Sequence, residues 1–97
     1  MLLARIKQLR EELNVQQRQM ADAIGVDAPM YSRIERGIRP FRDEYIEPMA
    51  KILKVDENEL RSLWTADKII NVTKDESDRV AQRALHLAKS EIKTNPD

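Results

Sequence analysis

Arg33, Arg36, Arg39 and Arg42 place four guanidinium groups within ten residues, and Arg18 lies a short way upstream. A guanidinium is a planar fork of N–H donors that matches a phosphate or the O6/N7 edge of a guanine. At helical spacing Arg33 shares a face with Ala28, Pro29, Ser32 and Arg36, the positions 28/29, 32/33 and 36 recurring about one turn apart. On such a face Arg33 could bond both O6 and N7 of one guanine, and Ser32 could reach a base or a phosphate. Ala28 and Pro29 offer no side-chain hydrogen bonds; they could touch a thymine methyl or simply give clearance to a backbone. Arg18, Arg36, Arg39 and Arg42 suit phosphate contacts, which hold register without reading sequence, though any one of them could be a solvated charge.

Two short helices must position this face. Residues 17–24 and 28–36 are amphipathic and joined through Gly25-Val26-Asp27. The glycine supplies a left-handed helix end, and Asp27 can accept from the free N–H groups opening the next helix. Met20, Ala21 and Ile24 face inward from the first helix; Tyr31 and Ile34 do so from the second, with Met30 at the margin. Ala21 is small enough for the two helices to approach closely. Pro29 falls in a first turn, where its missing N–H is of little consequence. Helix, glycine turn and capped helix form a helix-turn-helix, whose second helix can enter a DNA major groove.

The rest of the chain reads as further helices. Leu3, Ile6, Leu9 and Leu13 set an opening helix over 3–13, and Asn14 can take the left-handed cap. After a loop at 38–42, a helix over 43–53 buries Tyr45 or Ile46, Met49, Ile52 and Leu53. Pro48 either bends that helix or marks a regular part beginning near Glu47. Asp56 and Glu59 have capping-box spacing before a helix that turns Leu60, Leu63 and Trp64 inward. Residues 66–72 extend that helix or form another short one. A polar break at 74–78 precedes a tail helix over 78–93, and 94–97 should fray.

Composition limits the chemistry available. The chain has 97 residues, no cysteine and one histidine, His86, so disulfides and thiolate metal sites are excluded and a zinc site has too few ligands. No metal or cofactor is expected. No apolar run approaches a membrane span, and the charged start MLLARIKQLR does not read as a secretory signal; a soluble cytoplasmic protein is expected. Formal net charge is zero, but it is unevenly distributed: residues 1–42 carry eight basic and five acidic side chains, net +3, and the remainder nine and twelve, net −3. That polarity suits a chain facing phosphate with one end. With no glycine-rich phosphate loop, no nucleophile beside a histidine base and no clustered carboxylates, an enzyme is not expected.

From Ile6 to Trp64 the chain resembles the Cro and lambda-repressor type of helix-turn-helix, the XRE family. The resemblance is carried by Gln17, Ala21, Ile24-Gly25-Val26, Ser32-Arg33-Ile34-Glu35-Arg36-Gly37, Met49-Ala50-Lys51-Ile52-Leu53 and Val55. It implies an all-α, five-helix lambda-repressor-like DNA-binding domain over 1–64, with 65–97 as a C-terminal helical extension. It also implies that Gln17 caps its helix against a DNA phosphate, that Ala28, Pro29, Ser32 and Arg33 point at base edges, and that Arg10 and Glu35 pair beneath the recognition helix. Three positions depart from the pattern. Gln16 stands where threonine or serine is usual and predicts a weaker helix start, the loop proline usually falls one residue after Pro40, and Pro48 interrupts a helix that is usually unbroken.

The expectation is a transcriptional regulator, a repressor by resemblance, reading a pseudo-palindromic double-stranded operator as a homodimer. Trp64, Ile69, Ile70, Val80, Ala84, Leu87, Ala88 and Ile92 are the candidate dimer contacts; the same tail stripe could instead fold back as intramolecular core. The competing class is a protein-interaction module of antitoxin or antirepressor type that keeps the scaffold and binds a protein.

Overall fold

The structure, a computed structural model, describes residues 1–92. The expected fraying at 94–97, and Lys93 as the last residue of the tail helix, lie outside the described residues. The order is α1 (Leu2–Glu12), α2 (Gln17–Ile24), α3 (Ala28–Glu35), a 3-10 turn (Asp43–Tyr45), α4 (Ile46–Leu53), α5 (Glu57–Thr73) and α6 (Asp78–Glu91). There is no strand among the described residues, and no helix long and apolar enough to cross a membrane. Two compact units are present, Met1–Asp67 and Lys68–Asp97.

In the first unit, α1 starts at Leu2, so its buried stripe is Leu2, Ile6 and Leu9; Leu3 is half-buried, and Leu13 lies past the helix end, exposed. Asn14 takes the left-handed conformation (φ 55°), as its place after the helix predicts. The Gln16 start is firmer than expected: its N–H donates to Gln19 Oε1 at 2.8 Å, so a glutamine three residues on does part of the work of a threonine cap. Met20 and Ala21 are fully buried under α3. Gly25 (φ 74°) closes α2 while Val26 N–H donates to Ala21 O at 3.0 Å. Asp27 Oδ1 accepts from Met30 N–H at 2.8 Å, satisfying one donor at the start of α3. Asp27→Ala is therefore expected to lower stability by about 1 kcal/mol in urea unfolding; an unchanged midpoint and slope would show that the cap contributes nothing.

Pro48 neither bends nor breaks a helix. The 3-10 turn ends at Tyr45 and α4 begins at Ile46, so Pro48 occupies the first turn, where no intrahelical N–H bond is due. Tyr45 and Ile46 are both buried, with Met49, Ala50 and Leu53. The capping box expected at Asp56 and Glu59 is half made. Asp56 Oδ1 accepts from Asn58 N–H at 2.7 Å, but the Glu59 carboxylate is drawn to Arg5, 3.1 Å away.

α5 is one continuous helix through Thr73, so residues 66–72 extend it. Leu60 is buried, and Leu63 and Trp64 pack half-buried on the core, Trp64 against Phe41 with ring centroids 6.0 Å apart. Asp67 accepts from Leu2 N–H at 3.0 Å and from the Met1 ammonium at 3.0 Å, which places a carboxylate at the positive end of α1. Although burial opposes it, these donors hold the Asp67 carboxyl below its ordinary pKa.

In the second unit, Ser77 Oγ accepts from Val80 N–H at 3.2 Å and opens α6. None of the described α6 side chains is buried.

Candidate nucleic-acid interface

α3 has two faces of different character. Inward, Tyr31, Ile34 and Glu35 are buried. Outward, Pro29, Arg33 and Arg36 are exposed, with Ala28 and Ser32 half-buried beside them. The helix is held at both ends. Asp27 caps its start, and beyond Gly37 (φ 79°) the Ile38 N–H donates to Arg33 O at 2.9 Å. Arg33 makes no ion pair with any described residue.

Beneath α3 sits a charged seat. Arg10 Nε and Nη2 donate to the two Glu35 oxygens at 3.0 and 2.9 Å, and Arg10 Nη1 donates to Val15 O at 3.2 Å. The Tyr31 hydroxyl donates to Glu35 Oε2 at 2.5 Å. Arg10 and Glu35 side chains are 13% and 4% exposed, so this is a desolvated, bidentate pair rather than a surface one. Among the described residues no buried side-chain polar atom lacks a partner. Burial acts to raise the Glu35 pKa, but the hydrogen bonds from Arg10, Tyr31 and Gln17 outweigh it and hold the carboxyl below its usual range. Burial, reinforced by the bond to Glu35, pushes the Tyr31 phenol well above its ordinary value. The bond to Glu35 likewise raises Arg10, against burial.

Gln17, in the first turn of α2, is near enough to Glu35 to add to the effect on its carboxyl, a role that sequence reasoning did not assign. Tyr31 was also read as plain core. The signal available was its four-residue separation from Glu35, which places both on one helix face.

The remaining arginines fall into distinct places. Arg36 Nε donates to Ser32 O at 3.2 Å and stays on α3. Arg39 and Arg42 line a cavity of about 300 Å³ with Val26, Met30, Ile34, Pro40 and Tyr45, which sets both beside α3. Arg42 Nη1 lies 3.9 Å from Glu44 Oε1, both side chains about two-thirds exposed, a contact of little strength. Arg18 is exposed in the first turn of α2.

A protein-family model described as Helix-turn-helix matches residues 6–60, more than half of the chain. The chain belongs to this XRE-type helix-turn-helix family. Comparisons with curated proteins and with solved structures each return no significant match. The XRE-type domain is a DNA-binding module, and the matched span contains α2, α3 and the whole charged seat from Arg10 to Glu35.

The candidate dimer contacts divide between the two units. Trp64 belongs to the XRE-type unit and packs on its core. Ile69, Ile70, Val80, Ala84, Leu87, Ala88 and Ile92 lie in the second unit, and all are exposed. Ile69, Ile70, Ala84, Ala88 and Ile92 line one groove there; Val80 and Leu87 are not part of its lining.

Proposed function

We propose that this chain is a cytoplasmic transcriptional repressor that binds a pseudo-palindromic double-stranded operator, sequence-specifically, as a homodimer. The observation that carries the reading is Arg33, exposed and without an ion pair among the described residues, on a recognition helix fixed at both ends and seated on a buried ion pair. In this reading Arg33 bonds guanine O6 and N7, Ser32 contacts a neighbouring base or phosphate, and Pro29 and Ala28 lie against base edges. Gln17, Arg18, Arg36, Arg39 and Arg42 contact phosphates and set register. Residues 1–64 do the reading, and 65–97 join two copies so that their recognition helices meet half-sites about 34 Å apart.

The test is selection of bound duplexes from a random double-stranded pool by the purified full chain. A two-fold-related consensus, bound by two chains per duplex, is expected. No enrichment over input would refute the DNA reading and favour the protein-interaction alternative; an asymmetric site bound by one chain would refute the dimer alone.

A further inference from the structure

We propose that the cavity beside α3, between the turn after α2 and the loop at 38–42, binds a small organic oxyanion carrying one ring-sized apolar group, and that its binding excludes the operator. The exclusion, but not the site, rests on the DNA reading above.

The cavity combines an apolar wall with convergent donors. Val26, Met30 and Ile34 form the wall of a space of about 300 Å³, and Arg39, Arg42 and Tyr45 also line it, with no carboxylate in the lining. That volume is at the small end of ligand pockets and suits one ring with its head group. Tyr45 is the telling member, because it is only 8% exposed. Its hydroxyl has no hydrogen-bond partner among the described residues, yet no sealed polar atom there is left unsatisfied, so the oxygen opens to the cavity that the residue lines. A phenol donor kept this far from solvent gains most from an anionic acceptor. Arg39 makes no ion pair among the described residues, and Arg42 has only the weak 3.9 Å contact with Glu44.

These donors stand on backbone that is already tied down. The Ile38 and Arg39 N–H groups both donate to Arg33 O, at 2.9 and 3.2 Å, which fixes the start of the loop to the end of α3. Tyr45 N–H donates to Arg42 O at 3.0 Å, and the Tyr45 ring meets Phe41 edge-on with centroids 5.6 Å apart. A site fixed beforehand loses less entropy when it binds. A duplex phosphate can take the two guanidiniums, but it has nothing to lay on Val26, Met30 and Ile34. An aryl phosphate does both: its oxygens accept from the guanidiniums and the Tyr45 hydroxyl, and its ring covers the apolar wall. Arg39 and Arg42 cannot serve that ligand and the operator backbone together.

Titration of the full, isotope-labelled chain with phenyl phosphate, followed by amide NMR, tests the site without DNA. Saturable shifts centred on residues 26–45 are expected, with a Kd at or below about 1 mM. Phenol, which lacks the charge, and inorganic phosphate, which lacks the ring, should each bind at least about tenfold more weakly. Tyr45→Phe keeps the ring and should weaken phenyl phosphate about fivefold. The same variant should hold the selected duplex as tightly as wild type, yet need about fivefold more phenyl phosphate to release it. Shifts centred on the groove between α5 and α6, inorganic phosphate binding as tightly, or a Tyr45→Phe that binds phenyl phosphate like wild type would each overturn the site. A Tyr45→Phe that loses the duplex to the same degree assigns the hydroxyl to the operator backbone and overturns it too. A chain that selects no duplex but binds phenyl phosphate here upholds the site and refutes the exclusion, as does one that holds both together.

Discussion

Glu35→Ala is expected to lower the free energy of unfolding by about 3–5 kcal/mol, because it leaves the Arg10 guanidinium buried with its carboxylate partner gone. The Tyr31 hydroxyl loses its acceptor in the same step. Domain stabilities are typically about 5–15 kcal/mol, so the variant should sit near the edge of folding. Urea unfolding followed by circular dichroism measures it, and a loss under about 1 kcal/mol would show that the seat is not a desolvated pair. The same carboxylate sets an acid limb. Its folded pKa lies below the unfolded value, so the unfolded chain binds more protons and stability rises with pH through this window. The contribution is complete above the ordinary glutamate value, roughly 4.3, and is lost as pH falls through the folded value. Glu35→Ala should flatten that limb; an acid limb of unchanged slope would assign it to other carboxylates.

Arg33→Ala should do the opposite, leaving the fold intact and removing discrimination. A bidentate arginine–guanine contact is worth about 1–3 kcal/mol against the wrong base, roughly ten- to a hundredfold in binding ratio. An exposed residue with no ion pair should change unfolding by no more than about 0.5 kcal/mol. Arg33→Lys should not restore the ratio, since an ammonium cannot present the two-donor fork. Competition between the selected duplex and a scrambled one gives the ratio directly, and an unchanged value takes Arg33 out of base reading.

What could be read in advance followed from local physical chemistry. The Asp27 cap, the Gly25 turn and the left-handed Asn14 each depend on a residue type acting within a few positions of itself. Pro48 was ambiguous because its effect depends on where the helix starts, and the 3-10 turn before Ile46 resolves it. The interactions that were missed join positions far apart in the chain. Glu59 has cap spacing but pairs with Arg5, and Asp67, given no role in the sequence reading, meets Leu2 N–H at the start of α1. No local pattern announces such partners. The Arg10–Glu35 pair was anticipated only through the family resemblance; Tyr31 and Gln17, which complete the seat, were assigned other roles. α6 was legible as a helix from its apolar stripe, but that none of its described residues is buried was not.

The two faces of α3 separate how the domain holds together from what it can learn to recognise. Tyr31, Ile34 and Glu35 are bound into the interior, while Pro29 and Arg33 are exposed and Ser32 only half-covered. Substitutions on the outer row should leave folding nearly untouched. A lineage carrying this domain could therefore drift from one target sequence to another through viable intermediates, each fully folded at every step. Duplicated copies could diverge in the same way, with selection acting on recognition alone.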